Sequence, residues 1–266
     1  RHIMQKIFLL LYLFIALKSN AQQTFFRGNN NFVAPPVPIE IVKTGLVLNL
    51  DAGDPLSYSG SGNTWTDLTG KGNNGTILSP KSYNSANGGY LQLSVGNGIS
   101  LPAASNDFNF TNGDYTVEFW INPAQSNVEL LSLNTYNSYW SAFRFDINTS
   151  STMQILSCEN PGTWSIVESS ISGPVLNTWN HLVISKISGI TYAYVNSILK
   201  QTISIASTLM SNNPGSTNNT IGAAIPTANS YAFVGKMSIV RIYKGTGLTS
   251  SQVTQNYNAT KSRFGL

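Results

Sequence analysis

Along most of the chain apolar and polar residues alternate with a period of two, the spacing of a strand rather than a helix. The clearest case is Asp114 to Asn122, DYTVEFWIN: Tyr115, Val117, Phe119 and Ile121 share one face, and Thr116, Glu118 and Trp120 share the other. Comparable runs predict strands over 46–50, 90–93, 142–147, 153–157, 164–168, 180–187, 190–195, 198–205, 218–222 and 231–243, with Gly, Asn, Ser and Pro clusters between them. Two of the connections hold only two residues, Ser188-Gly189 and Asn196-Ser197. Residues 180 to 205 therefore read as a three-stranded antiparallel meander joined by tight hairpins. One segment near the C-terminus departs from this pattern. Thr249 and Gln252 form a T-x-x-Q capping box, with Leu248 and Val253 at the staple positions, which predicts a helix running to about Ala259. Many short strands without alternating helices imply an all-β fold, a two-sheet antiparallel jelly-roll sandwich with a short C-terminal helix.

The first residues follow a different logic. From Met4 the chain reads Lys6, an eleven-residue apolar run from Ile7 to Leu17, and Ser19-Asn20-Ala21, the three-part layout of a secretory signal peptide. A membrane span needs about 20 apolar residues, so this run is too short for one. Residues 1–21, including Arg1 to Ile3 ahead of Met4, are read as that leader. Residues 22–42, with Asn29 to Asn31 and Pro35-Pro36-Val37-Pro38, form an extended lead-in, and 43–266 form the jelly-roll domain.

Charge then narrows the partners. Fifteen Lys and Arg face eleven Asp and Glu, but Arg1, Lys6 and Lys18 belong to the leader, so the mature chain is nearly neutral. Without a basic face, nucleic acid is not an expected partner. Ser, Thr and Asn make up about a third of the residues, which suits an exported, turn-rich β protein located outside the cell or at its surface. After signal removal no membrane span is expected. Cys158 is the chain's one cysteine, so no internal disulfide can form, and it is read as a small buried hydrophobe.

The inventory for catalysis is thin. His181 lies inside a predicted strand and no nucleophile motif accompanies it. The mature chain's one His and one Cys cannot make a zinc site. Glu40, Glu118, Glu129, Glu159 and Glu168 have no second acid close in sequence, whereas glycoside hydrolysis needs two carboxylates flanking a bond. The expectation is a protein that is not an enzyme. Binding is better supplied, because sugar recognition pairs an aromatic platform with polar side chains. Asn134 to Arg144, NTYNSYWSAFR, offers Tyr136, Tyr139, Trp140 and Arg144, and Trp164 follows in a nearby run; these five are the candidate ligand-binding residues. Trp65, Trp120 and Trp179 are assigned to packing.

Several segments, in order, resemble the laminin-G-like, concanavalin A-like lectin/glucanase superfamily over about 45–266. They are GLVLNLDAGDPLSY at 45–58, WTDLTGKGNNGT at 65–76, DYTVEFWI at 114–121, WNHLVISK at 179–186, YAYVN at 192–196 and GKMSIVRIYKGTGLTSSQVTQNYNATKSRFG at 235–265. The resemblance implies a secreted lectin-like domain that binds a glycan, a surface polysaccharide or another extracellular ligand without catalysis. It also implies a Ca²⁺ site at Asp67, with the loop from Gly70 to Gly75 and, by the same analogy, Asp51. The acidic pair that often precedes V-R-I-Y is here Ser238-Ile239, so part of that ligand set is missing. An Asx-turn role for Asp67 is expected ahead of a metal role. The alternative reading is a structural or assembly protein of an extracellular matrix, filament or virion, self-associating through the arm 22–42 by strand addition.

Overall fold

A strand buries a face only against a second layer, and the alternating runs do so here in two sheets. The computed structural model describes residues 38–78, 82–103, 105–136, 140–158, 164, 166–204, 216–223 and 231–266. The expected leader and nearly all of the lead-in lie outside the described residues, and the fold described below belongs to the unit Ile39–Leu266.

In chain order the strands are β1 (Leu46–Asp51), β2 (Thr64–Trp65), β3 (Gly75–Ile77), β4 (Ser82–Asn84), β5 (Tyr90–Leu93), β6 (Ile99–Leu101), β7 (Tyr115–Pro123) and β8 (Val128–Tyr136). They continue with β9 (Trp140–Ile147), β10 (Met153–Ser157), β11 (Ile166–Ile171), β12 (Asn180–Ile187), β13 (Ile190–Val195), β14 (Ile198–Ser204), β15 (Ser216–Ile221) and β16 (Gly235–Lys244). Helix α1 (Ser250–Thr260) follows. One sheet runs β14-β13-β12-β7-β16-β5-β4, with β1 also on β16; the other runs β11-β10-β9-β8-β15-β6-β3-β2. The strand pairs are antiparallel, as in the expected sandwich. Val117, Phe119 and Val240 of the first sheet meet Leu133, Phe143 and Phe145 of the second in one core.

Both two-residue hairpins form as expected. Ser188 and Gly189 have φ of 48° and 85°, and Asn196 and Ser197 have 52° and 63°, the double left-handed geometry of type I′ turns. Some boundaries shift: the runs at 142–147 and 218–222 become Trp140–Ile147 and Ser216–Ile221, that at 164–168 becomes Ile166–Ile171, and that at 231–243 starts only at Gly235. The largest omission is β8. Its sequence VELLSLNTY breaks alternation at Leu130-Leu131, where a register shift lets Leu130, Leu131 and Leu133 all enter the core. The short strands β2, β3, β4 and β6 carry too few residues to show a period.

β7 is buried on both faces rather than one, because α1 covers the side away from the core. Trp120 stacks with Tyr257 of α1 at 5.6 Å and with Phe264 just beyond it at 4.2 Å between ring centres. Beneath the helix, Glu118 accepts hydrogen bonds from Arg241 Nη1 at 2.5 Å and Asn256 Nδ2 at 2.6 Å, and His181 Nε2 lies 3.1 Å away. Trp65, Trp120 and Trp179 are all buried packing residues, as expected. Cys158 is buried too, beside Ala142 and Trp164. The capping box at Thr249 and Gln252 is present in full, and Leu248 shares a cluster with Val253. Thr249→Ala is expected to cost about 1 kcal/mol, read as a lower urea midpoint at unchanged slope.

Candidate functional site

On β9 the core takes Phe143, Phe145 and Ile147, so Arg144 and Asp146 project from the opposite face. β10 repeats the pattern, with Met153 and Ile155 inward and Gln154 and Leu156 outward. Together with Trp164 and Tyr231 these outward side chains line a cleft of ≈ 710 Å³. Glu129 of β8 stands directly opposite Asp146 in the strand ladder and is fully buried behind them.

Arg144 ties the acids together. Its Nε lies 3.0 and 2.9 Å from the two Asp146 oxygens, and its Nη2 lies 2.8 Å from Oδ2. The same Nε is 3.0 Å from Glu129 Oε2, but its N–H is aimed at Asp146. The Glu129 contact is therefore ionic without hydrogen-bond alignment, and both Glu129 oxygens are buried with no hydrogen-bond partner among the described residues. Burial pushes Glu129 up to about 8; Arg144 and, more weakly, the Ser132 hydroxyl oppose that, and the Asp146 charge adds to it. Burial likewise raises Asp146 to about 6, with Arg144 opposing. Burial works against the Arg144 cation, but the two carboxylates prevail and hold it firmly charged.

Tyr231 completes the arrangement. Its carbonyl accepts the Glu129 amide N–H at 2.7 Å, and its backbone sits at a φ of 61°, uncommon for an aromatic residue. That turn lays the ring over the guanidinium, 5.3 Å from ring centre to the Arg144 carbon, while leaving Tyr231 46% exposed. The cleft thus offers one exposed and one partly buried aromatic around a fixed cation, with amides from Asn127, Asn148 and Gln154 at its wall.

Of the five expected binding residues, the structure brings Arg144 and Trp164 to this cleft. Tyr136 and Trp140 pair across β8 and β9 in the backbone ladder, and their side chains, like the whole of Tyr139, lie outside the described residues. Sequence reasoning passed over Glu129, Asp146, Gln154 and Tyr231. The expectation that no acids pair holds only for neighbours along the chain, since strand register places Glu129 beside Asp146. The alternation of 142–147 already put Asp146 on the face of Arg144; nothing local marked Glu129 or Tyr231.

The two expected calcium ligands are engaged otherwise. Asp67 Oδ1 accepts N–H groups of Asn49 and Thr69 at 3.0 and 3.1 Å, and Oδ2 accepts the Thr69 hydroxyl at 2.6 Å and the Asn73 N–H at 3.3 Å. This is the Asx-turn role. Asp51 holds Arg263 bidentately at 2.7 and 2.8 Å and also accepts the Gly53 N–H. In this arrangement both carboxylates are engaged by a guanidinium or by N–H and O–H donors. Among the described residues no three His, Cys, Asp or Glu side chains gather elsewhere.

A family model described as the concanavalin A-like lectin/glucanases superfamily matches residues 93–254. Among solved structures, domain 4 of AbnA, an extracellular arabinanase from Geobacillus stearothermophilus in complex with arabinotriose, is similar at 20% identity and a TM-score of 0.60, over 81% of this chain and 100% of that one. The botulinum neurotoxin serotype D binding domain is similar at 15% identity and a TM-score of 0.57, over 80% of this chain and 50% of that one. The Trypanosoma rangeli sialidase in complex with sialic acid is similar at 15% identity and a TM-score of 0.57, over 88% of this chain and 36% of that one. At these identities the likeness is one of fold. A search among curated proteins gives no significant match. No helix among the described residues is long and apolar enough to cross a membrane.

Proposed function

The chain belongs to the concanavalin A-like lectin/glucanase superfamily, and from that premise we propose that it is an exported, non-catalytic protein that binds carbohydrate in the cleft between Trp164, Tyr231 and Arg144. The observation that carries this reading is the pairing of two accessible aromatic rings with a rigidly held guanidinium and a rim of amides. Apolar C–H faces of a sugar would stack on the rings while its hydroxyls exchange hydrogen bonds with the polar rim. A similar fold, domain 4 of the arabinanase, occurs in complex with arabinotriose, which supports the class of ligand.

Binding is favoured over hydrolysis by the way the acids meet. A glycosidase needs its two carboxyl groups on either side of an open space for the scissile bond. Glu129 and Asp146 instead close around Arg144, and Glu129 has no exposed surface. The engaged carboxylates of Asp51 and Asp67 support binding without a metal.

The test is retention of the protein on insoluble polysaccharides and a glycan array, with EDTA in a parallel arm. Saturable retention, unchanged by EDTA and free of sugar release, is the expected outcome. Trp164→Ala, checked for fold by circular dichroism, should weaken it at least about tenfold, equivalent to about 1.4 kcal/mol of lost contact. Absence of retention on every glycan, or release of soluble sugar, would overturn the reading.

A further inference from the structure

The triad behind the cleft joins three ionisable groups whose charges cannot all be satisfied. One guanidinium faces two carboxylates, both within 3.0 Å of the same nitrogen, and among the described residues the wholly buried Glu129 has no second cation and only the Ser132 hydroxyl nearby to offset its charge. With both acids ionised the triad carries one surplus negative charge in a low-dielectric setting, which is costly unless one proton is retained. Among the described residues the neighbouring elements supply no second cation. Gln154 of β10 faces Asp146 in the ladder, Ser132 of β8 faces Arg144, and Tyr231 covers the guanidinium. Among the described residues, Arg144 and Asp146 are the charged groups that line the cleft.

We propose that the cleft is a proton-linked glycan site: at neutral pH the Glu129–Arg144–Asp146 triad is electrically closed and the cleft takes uncharged sugars, whereas protonation of the triad frees Arg144 to receive a carboxylated sugar. This rests on the carbohydrate reading above and adds its ligand class and its regulation. With Asp146 ionised, the guanidinium is held by that carboxylate through Nε and Nη2, and an acidic sugar entering the cleft would meet a compensated cation and an adjacent like charge. Once Asp146 also takes a proton, two neutral carboxyls face one cation, and the cleft gains a net positive charge at its aromatic rim. Sugar carboxylates are still ionised at mildly acidic pH, so charge complementarity then switches sign in favour of the acidic ligand. The burial that raises both Glu129 and Asp146 places the change in the mildly acidic range rather than near the ordinary carboxylate range.

The test compares retention on α-1,5-arabinan, β-1,3-glucan and mannan with retention on polygalacturonate and alginate, at pH 5 and pH 8. Retention on the uncharged polymers should change less than about twofold between the two conditions, while retention on the uronates rises at least about tenfold at pH 5. Glu129→Gln places a neutral amide where the parent already holds a neutral carboxyl at and below pH 7, so the pH dependence of uronate retention below pH 7 should match that of the parent. Carbon-13 carboxyl titration of the unliganded protein gives a readout that needs no sugar, and it should show one proton kept by the pair at pH 7. Equal uronate retention at both pH values, a changed pH dependence below pH 7 in Glu129→Gln, or two carboxyls titrating in the ordinary range would overturn the proton linkage and leave the carbohydrate reading standing. Failure to retain any polymer at either pH would overturn the carbohydrate reading and this inference together.

Discussion

Glu118→Gln is expected to lower the unfolding free energy by about 3 to 5 kcal/mol at pH 7, because it strands a buried cation. Arg241 is 2% exposed, and it donates to Glu118 and, through Nε, to Asn49 Oδ1 at 3.1 Å. The same carboxylate receives Asn256 from α1 and lies beside His181, so one side chain joins β7, β12, β16 and the helix that covers them. Burial by itself would raise Glu118, but Arg241, His181 and Asn256 prevail and hold it down to about 2, against an ordinary 4.5. A depressed carboxylate contributes stability that is complete above its unfolded value and is lost as pH falls through the folded one. Here that contribution is about 3 kcal/mol, fading between about pH 4.5 and pH 2. Urea denaturation of parent and variant should therefore show a gap that is widest at pH 7 and narrows below pH 4. A double variant with Arg241→Met should recover part of the loss, since removing both charges leaves no unpaired ion. If the gap were the same at pH 3 and pH 7, the interaction would not be ionic and this account of the helix attachment would fall.

That cluster also marks where the sequence stops being readable. The alternation of 114–122 separates Glu118 from the core face correctly, but it suggests solvent on the polar side. What lies there is α1, and its position depends on Asn256 and Tyr257 returning across the sheet from more than a hundred residues away. Local signals were sufficient wherever the cause was local. The double left-handed turns at 188–189 and 196–197, the capping box at Thr249 and the long strands with clean alternation all form as their residues require. β8 escaped because a bulge sets two leucines side by side, which erases the period that identifies a strand. The site divides in the same way. Arg144 and Trp164 stand out by residue type near other aromatics, whereas Glu129 meets Asp146 only through the register of β8 on β9. Tyr231 reaches Arg144 only because its own backbone adopts a left-handed turn beside β8. Register and loop path are tertiary outcomes, and no pattern within a short window encodes them.

Arg144→Met should reveal the cost of holding the two cleft acids together, with a gap from the parent that closes on acidification at higher pH than that of Glu118→Gln. Methionine fills much of the space of the arginine stem but leaves Glu129 and Asp146 facing each other without a cation. Breaking such a buried network by removing one partner costs about 3 to 5 kcal/mol when the remaining charges are ionised. Both acids already sit above their ordinary range, at about 8 and about 6, and loss of the guanidinium removes the one influence that lowers them both. A raised carboxyl contributes stability that is present below its unfolded value and is lost as pH rises through the folded one. The variant should therefore approach the parent at pH 5, where neutral carboxyls can hydrogen-bond to each other, and fall furthest below it at pH 8. Adding Glu129→Gln and Asp146→Asn to Arg144→Met should flatten that slope, because no ionisable group remains to be buried. Urea midpoints at the two pH values decide the matter. A loss of equal size at pH 5 and pH 8 would mean that Arg144 acts by packing under Tyr231 rather than by charge, and the proton linkage proposed for the cleft would lose its physical basis.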